Sequence, residues 1–240
     1  MRRSAFALLI PLAACGVWSG DDDVPGVAAT GSGNTRSYAV ADFARIDQRG
    51  PDDVDVRVGT GFSVRAEGDP KALSRVKIAK DGNRLLITRE GSGINWQSDS
   101  ARIYVTMPRI EAASLAGAGD VAVDRVEGGA FDGRIAGSGT LKLGRVAVNR
   151  LELSIAGAGN AEAAGEVDAL AVNIAGSGDV EAAGLRANSA EVNIAGSGNV
   201  RAAVNGPAKV AIMGAGDVDL GAAADCEVSK VGTGDVRCRP

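Results

Sequence analysis

A Gly-[Ala/Ser/Thr]-Gly tripeptide recurs seven times in the second half of the chain, beginning at Gly117, Gly137, Gly157, Gly176, Gly196, Gly214 and Gly232, at spacings of 18 to 20 residues. Five copies read Leu/Ile-Ala-Gly-Ala/Ser-Gly followed by Asp, Asn or Thr; Ile212 keeps the pattern with Met213, and Val231 opens a shortened form. A fixed period of this kind points to a repeat architecture. One such repeat holds short strands and turns, cannot bury its own apolar side, and is stabilised by parallel pairing with its neighbours. Around each glycine pair the apolar residues alternate: Val192 and Ile194 lead in, Val200 and Ala202 lead out, with Glu191, Asn193 and Arg201 between them. The phase returns at Val121 and Val123, Leu141 and Leu143, Ala161 and Ala163, and Val218 and Leu220. Period two means strand. The expected fold is therefore all-β, a single-stranded parallel β-solenoid of rungs about 20 residues long around a thin aliphatic core, with sheet walls about 10 Å apart.

The glycines are read as corner residues, which supply backbone angles that side-chain-bearing residues adopt only under strain. The residue after each glycine pair is Asp120, Thr140, Asn160, Asp179, Asn199, Asp217 or Asp235, types whose side chains bond nearby backbone in turns. Stacking would set them in a ladder about 4.8 Å apart. Asn and Thr interrupt the carboxylates until the last pair, Asp217 and Asp235. Calcium-binding solenoids use a nine-residue period, about half of this one, so no metal site is expected.

Met1 to Cys15 begins with Arg2 and Arg3, runs through the apolar stretch Ala5 to Ala14, and ends Leu12-Ala13-Ala14-Cys15. This is the pattern of a signal peptide over 1–14 closed by a lipobox, and the apolar run is too short to span a bilayer. Resemblance to bacterial lipoproteins implies cleavage before Cys15, acylation of that cysteine, and membrane attachment through two or three acyl chains. By the sorting pattern of such lipoproteins, Gly16 implies the outer membrane of a Gram-negative cell. Residues 15–38 then form the lipidated end and a flexible tether rich in Gly, Asp and Ser, and 39–240 the solenoid domain. Cys226 and Cys238 remain as an even pair in an oxidising compartment. Both fall on the last two rungs, and the readings for them are a disulfide closing the open end or two buried thiols.

Residues 39–110 lack the tripeptide but alternate apolar and polar at Val54–Val58, Phe62–Ala66, Val76–Ile78, Leu85–Thr88 and Ile103–Thr106. Gly59-Thr60-Gly61, Gly68-Asp69-Pro70 and Asp81-Gly82-Asn83 punctuate them as turns, and Lys71 to Ser74 reads as a short helical turn. These are irregular strand-rich rungs ahead of the regular repeats of 111–240. The succession Phe43-Ala44-Arg45-Ile46-Asp47, Val54-Asp55-Val56, Ser63 to Asp69, Asp81 to Ile87, Val105-Thr106-Met107-Pro108 and Leu115 to Asp120 resembles the head GIN domain family over roughly residues 39 to 220. That resemblance implies a secreted or lipid-anchored bacterial protein with a parallel β-solenoid body, of the kind described as auto-transporter adhesins. The lipobox stands here in place of a barrel-forming translocator.

Composition narrows the function. The chain has no histidine, which removes Ser-His and Cys-His nucleophilic pairs and the commonest transition-metal ligand. With 26 Lys and Arg against 30 Asp and Glu it carries −4, so no nucleic-acid footprint is present. No cofactor is expected. Solenoid lyases and hydrolases work with paired carboxylates, and Asp217 with Asp235 is the one adjacent pair in the ladder; a carbohydrate-active enzyme is therefore the alternative, and a purely structural envelope protein a further one. The main expectation is a non-catalytic binding protein for a glycan, cell-wall polymer or protein, with outward side chains such as Asn173, Glu181, Glu191, Asn193 and Arg201 as contacts. Sugars favour aromatic platforms, and aromatics are 3% of the chain. Trp96 and Tyr104 are the candidates. Trp96, flanked by Asn95 and Gln97 in the glycine-containing loop Gly91 to Gln97, is the candidate recognition point, or else a cap on the solenoid core.

Overall fold

The structure, a computed structural model, describes residues 24–90 and 100–238. The chain enters through β1 (Ala29–Thr30), β2 (Thr35–Tyr38), β3 (Arg45–Gly50), β4 (Asp53–Val58) and β5 (Ser63–Glu67), makes one helical turn, α1 (Pro70–Leu73), and continues as β6 (Val76–Asp81), β7 (Arg84–Arg89), β8 (Arg102–Met107) and β9 (Ala112–Gly117). Long bent strands follow: β10 (Val121–Gly137), β11 (Thr140–Gly157), β12 (Asn160–Gly176) and β13 (Val180–Gly196). The last rungs are divided into β14 (Val200–Val204), β15 (Gly206–Gly214), β16 (Val218–Asp219), β17 (Ala224–Gly232) and β18 (Val236–Arg237). The strands form one continuous sheet that winds as a parallel β-solenoid.

Each rung leaves its Gly-x-Gly corner along a short first arm, bends, and returns along a longer second arm to the next corner. In β10 the first arm carries Val121 and Val123 inward and the second carries Phe131 and Ile135 inward, all buried. Pairing from β10 to β11 is in steps of 20, Val121 opposite Leu141 and Gly137 opposite Gly157. Aliphatic columns thus run through every rung into a single core.

The N-terminal third is more regular than its sequence indicates. β3 pairs parallel with β9, β4 pairs parallel with β10, and the corner between them, Gly50-Pro51-Asp52, lies beneath Gly117-Ala118-Gly119. β3 and β4 therefore make a full rung, wedged between β9–β10 on one side and β7 and β8 on the other. Sequence periodicity misses it because no Gly-x-Gly marks that corner. Beyond it the pairing turns antiparallel, β6 with β7, and β5 with both β8 and β2, so this end stops offering parallel edges. Asp69 caps α1 by accepting the Lys71 backbone N–H at 2.8 Å, and Leu73 joins the core.

Candidate functional site

The corner is the most repeated piece of chemistry in the molecule. At Gly137 the backbone takes φ +140°, a conformation open to glycine. At Gly139 the backbone is ordinary, yet a Cβ would be driven into the carbonyl oxygen of Gly119 one rung below. The two glycines of each corner thus serve different ends, one for conformation and one for close approach. The contact they permit is a second ladder of hydrogen bonds: Ser138 N–H donates to the Gly117 carbonyl, Ala158 to Gly137, Ser177 to Gly157 and Ser197 to Gly176, at 2.8–2.9 Å.

The polar residue after the corner bonds between rungs, which corrects the expectation of a local turn contact. Asp120 Oδ1 accepts the Thr140 N–H at 2.8 Å, Asn160 Oδ1 that of Asp179 at 3.1 Å, Asp179 Oδ1 that of Asn199 at 2.8 Å, and Asn199 Oδ1 that of Asp217 at 3.0 Å. At the last pair Asp217 Oδ1 accepts the Asp235 N–H at 2.7 Å. These are the two carboxylates of the enzymatic alternative, and Asp217 is engaged as one more step of the ladder. A second polar column, not anticipated from the repeats, lines the opposite bend: Asn188 Nδ2 donates to Asp168 Oδ1 at 3.1 Å. Its signal was present as a polar residue after each inward Val148, Val167 and Ala187.

Below the first Gly-x-Gly corner sits a buried polar cluster. Arg89 clasps Asp52 through two nitrogens, Nε at 2.9 Å and Nη2 at 2.5 Å, with both side chains almost wholly buried. Asp52 also accepts the Ala101 N–H at 2.7 Å, and Gln48 Nε2 donates to the carbonyls of Gly50 and Asp52 at 3.0 and 2.9 Å. These contacts hold the Gly50–Asp52 corner in the position that the ladder continues from.

The outward side chains separate by arm. On the first arm Lys142 pairs with Glu162 at 3.1 Å and Arg201 with Glu181 at 2.5 Å, so this face is a set of mutually neutralised charges; such exposed pairs contribute little to stability. Tyr104 is on this side, its ring under the Arg65 guanidinium at 4.8 Å. On the second arm the position before each corner is alanine, Ala136, Ala156, Ala175 and Ala195, and beside it runs a polar column, Ser114, Arg134, Ser154, Asn173 and Asn193, in which Asn193 Nδ2 donates to Asn173 Oδ1 at 3.1 Å. Because alanine stands so low between taller neighbours, the face is hollowed into an apolar trough of about 610 Å³ reaching from β9 to β17. The alanine column ends in Met213 and Val231, 68% and 69% exposed. The outward residues named as contacts are thus on two surfaces: Glu181 and Arg201 on one, Asn173, Glu191 and Asn193 on the other.

Asn95, Trp96 and Gln97, the lipidation residue Cys15 and the signal segment 1–14 lie outside the described residues. Cys226 and Cys238 are joined by a disulfide across the last rung, Cα atoms 6.1 Å apart. Among the described residues no group of three His, Cys, Asp or Glu side chains is placed to hold a metal ion, and no helix is long and apolar enough to cross a membrane.

A family model described as "Putative auto-transporter adhesin, head GIN domain" matches residues 42–224. Among solved structures the chain is similar to a putative adhesin from Bacteroides fragilis at 22% identity, over 85% of this chain and 95% of that one, with a TM-score of 0.76. It is similar to a putative lipid binding protein from Parabacteroides distasonis at 20% identity, over 88% and 96% of the two chains, TM-score 0.63, and to a putative adhesin from the same species at 20% identity, over 87% and 97%, TM-score 0.65. At these identities the likeness is one of fold. No match is found among curated protein sequences.

Proposed function

From the premise that the chain belongs to the head GIN domain family, we propose that it is a non-catalytic, adhesin-like binding protein of the cell envelope, held to the membrane through lipid on Cys15, whose partner docks along the second-arm trough. The observation that carries this reading is the trough itself, apolar from β9 to β17 and ending in the exposed Met213 and Val231. A concave apolar surface flanked by polar side chains is the kind of surface a partner or ligand occupies. Asp217 accepts the Asp235 N–H as one more step of the ladder, which favours a structural over a catalytic use of that pair. An envelope glycan or protein is the partner class. An acyl chain also suits the apolar lining, and a similar P. distasonis protein is described as a "putative lipid binding protein".

The test uses the protein from residue 16 onward, screened against glycans, peptidoglycan and phospholipid vesicles, beside Met213→Ser/Val231→Ser and Trp96→Ala variants. Binding lost in the first variant and kept in the second supports the trough. Loss with Trp96→Ala alone moves the site to the 91–97 loop, and release of shortened sugars overturns the non-catalytic reading. Lipid attachment is read separately, by palmitate labelling of the full chain and of its Cys15→Ser variant.

A further inference from the structure

The aliphatic column next to the corner ends in a charge. Ile135, Ile155, Ile174, Ile194 and Ile212 stack in register on the inward side, each only 2–3% exposed. The next position in the column, opposite Ile212 across the β15–β17 pair, is Lys230. Its side chain lies over the end of the column and Nζ donates to the Gly234 carbonyl of the final corner at 2.5 Å. The ammonium thus closes the stack while staying in contact with water.

The strand that carries it is the one most able to recruit another chain. Among the described residues β17 pairs with β15 alone, so one whole edge of a nine-residue strand is open. An inward residue of the same rung, Val228, is 45% exposed, and the disulfide fixes β17 to the segment beyond β18. A nine-residue open edge backed by apolar inner positions is a template for further pairing. The opposite end of the solenoid offers no equivalent among the described residues, because the outer edge of β6 is covered by the Gly26–Val27 segment, Val27 N–H donating to the Ile78 carbonyl at 2.7 Å, and the edge strand β1 is only two residues long. Association through this edge would therefore join two C-terminal ends and close at two copies.

We propose that Lys230 is a stop, which keeps the β17 edge of one molecule from pairing with β17 of a second copy. Joining the two edges would merge the cores and trap two ammonium groups between them, with no carboxylate in either isoleucine column to receive them. An unpaired buried charge of that kind is strongly unfavourable, and inward-pointing charge on an edge strand is a known protection against edge pairing.

The test is the mass in solution, by light scattering after size exclusion, of the protein from residue 16 onward as wild type, Lys230→Ile, Lys230→Met and Lys209→Ile. Lys209 is the neighbouring lysine on β15, exposed and outward. The expected result is a monomeric wild type, a monomeric Lys209→Ile, and a roughly twofold greater mass for both Lys230 variants, with amide exchange of β17 slowed. A dimeric wild type, Lys230 variants that remain monomeric with native circular dichroism, or equal dimerisation of Lys209→Ile would each overturn the proposal. Loss of the fold in both Lys230 variants would overturn it too, since an apolar side chain at that position only lengthens an existing column.

Discussion

Gly139 and Gly129 look interchangeable as letters, and the fold treats them in opposite ways. A Cβ on Gly139 meets the Gly119 carbonyl, whereas one on Gly129 meets nothing within 4 Å. Gly139→Ala is expected to destabilise by about 1–3 kcal/mol as the rungs are forced apart, and Gly129→Ala by less than about 0.5 kcal/mol; urea unfolding of the two variants checks the difference. Arg89 with Asp52 is the second residue-scale case. Both partners are buried, so removing one leaves an uncompensated charge, and Asp52→Ala is expected to cost about 3–5 kcal/mol. Replacing both together by apolar residues should cost much less, and a result in which the double variant is as unstable as the single one would refute that account. The value of the pair lies in fixing the Gly50–Asp52 corner, which nothing in the repeat pattern marks.

At the scale of the element, the variable length of the repeat has a single outlet. Between β11 and β12 the pairing slips by one residue between Leu143 and Val146, between β12 and β13 it slips between Glu162 and Ala164, and between β13 and β14 between Ala182 and Arg186. All three slips fall at the bend after the first arm. The corner and the second arm never slip, because the glycine contacts and the carbonyl ladder demand one register, while the bend tolerates a bulge. The last rung is held differently. Among the described residues its strands have neighbours on one side only, and the disulfide Cys226–Cys238 joins them. Reduction is expected to lower stability by about 2–4 kcal/mol and to speed amide exchange in β17 and β18 before that of β11 and β12. Uniform acceleration through all rungs would contradict this.

For the whole molecule, the stack behaves as a one-dimensional array with unlike ends. Among the described residues each rung from β10 onward pairs with its neighbours only, so stability there is close to a sum of like terms. Excising residues 140–159 joins Gly139 to Asn160 and leaves one fewer rung with every remaining register intact. That shortened protein is expected to fold, with a lower midpoint of thermal unfolding and unchanged strand content per residue by circular dichroism. Excising 45–58 removes β3 and β4, the rung laid between strands distant in sequence, and is expected to abolish folding. A folded product of the second excision, or an unfolded product of the first, would show that the array picture is wrong.

The solenoid, its inward phase and its corners were legible in the sequence because they depend on local rules repeated seven times: alternation for strands, glycine for turns, and a period that only stacking satisfies. The strands of the N-terminal third were legible one by one, and their order was not, since Gly50 is set against Gly117 through pairing that spans 67 residues without a shared motif. The trough was hidden for a related reason. Alanine before a corner looks like a spacer in one repeat, and becomes the floor of a surface only when parallel register lines up Ala136 to Ala195 and leads them to Met213 and Val231. Lys230 likewise reads as an ordinary surface lysine until register sets it on a column of isoleucines. Local chemistry determined what each rung is; long-range register, which sums interactions no single segment contains, decided where the rungs begin, what face they share and how they end.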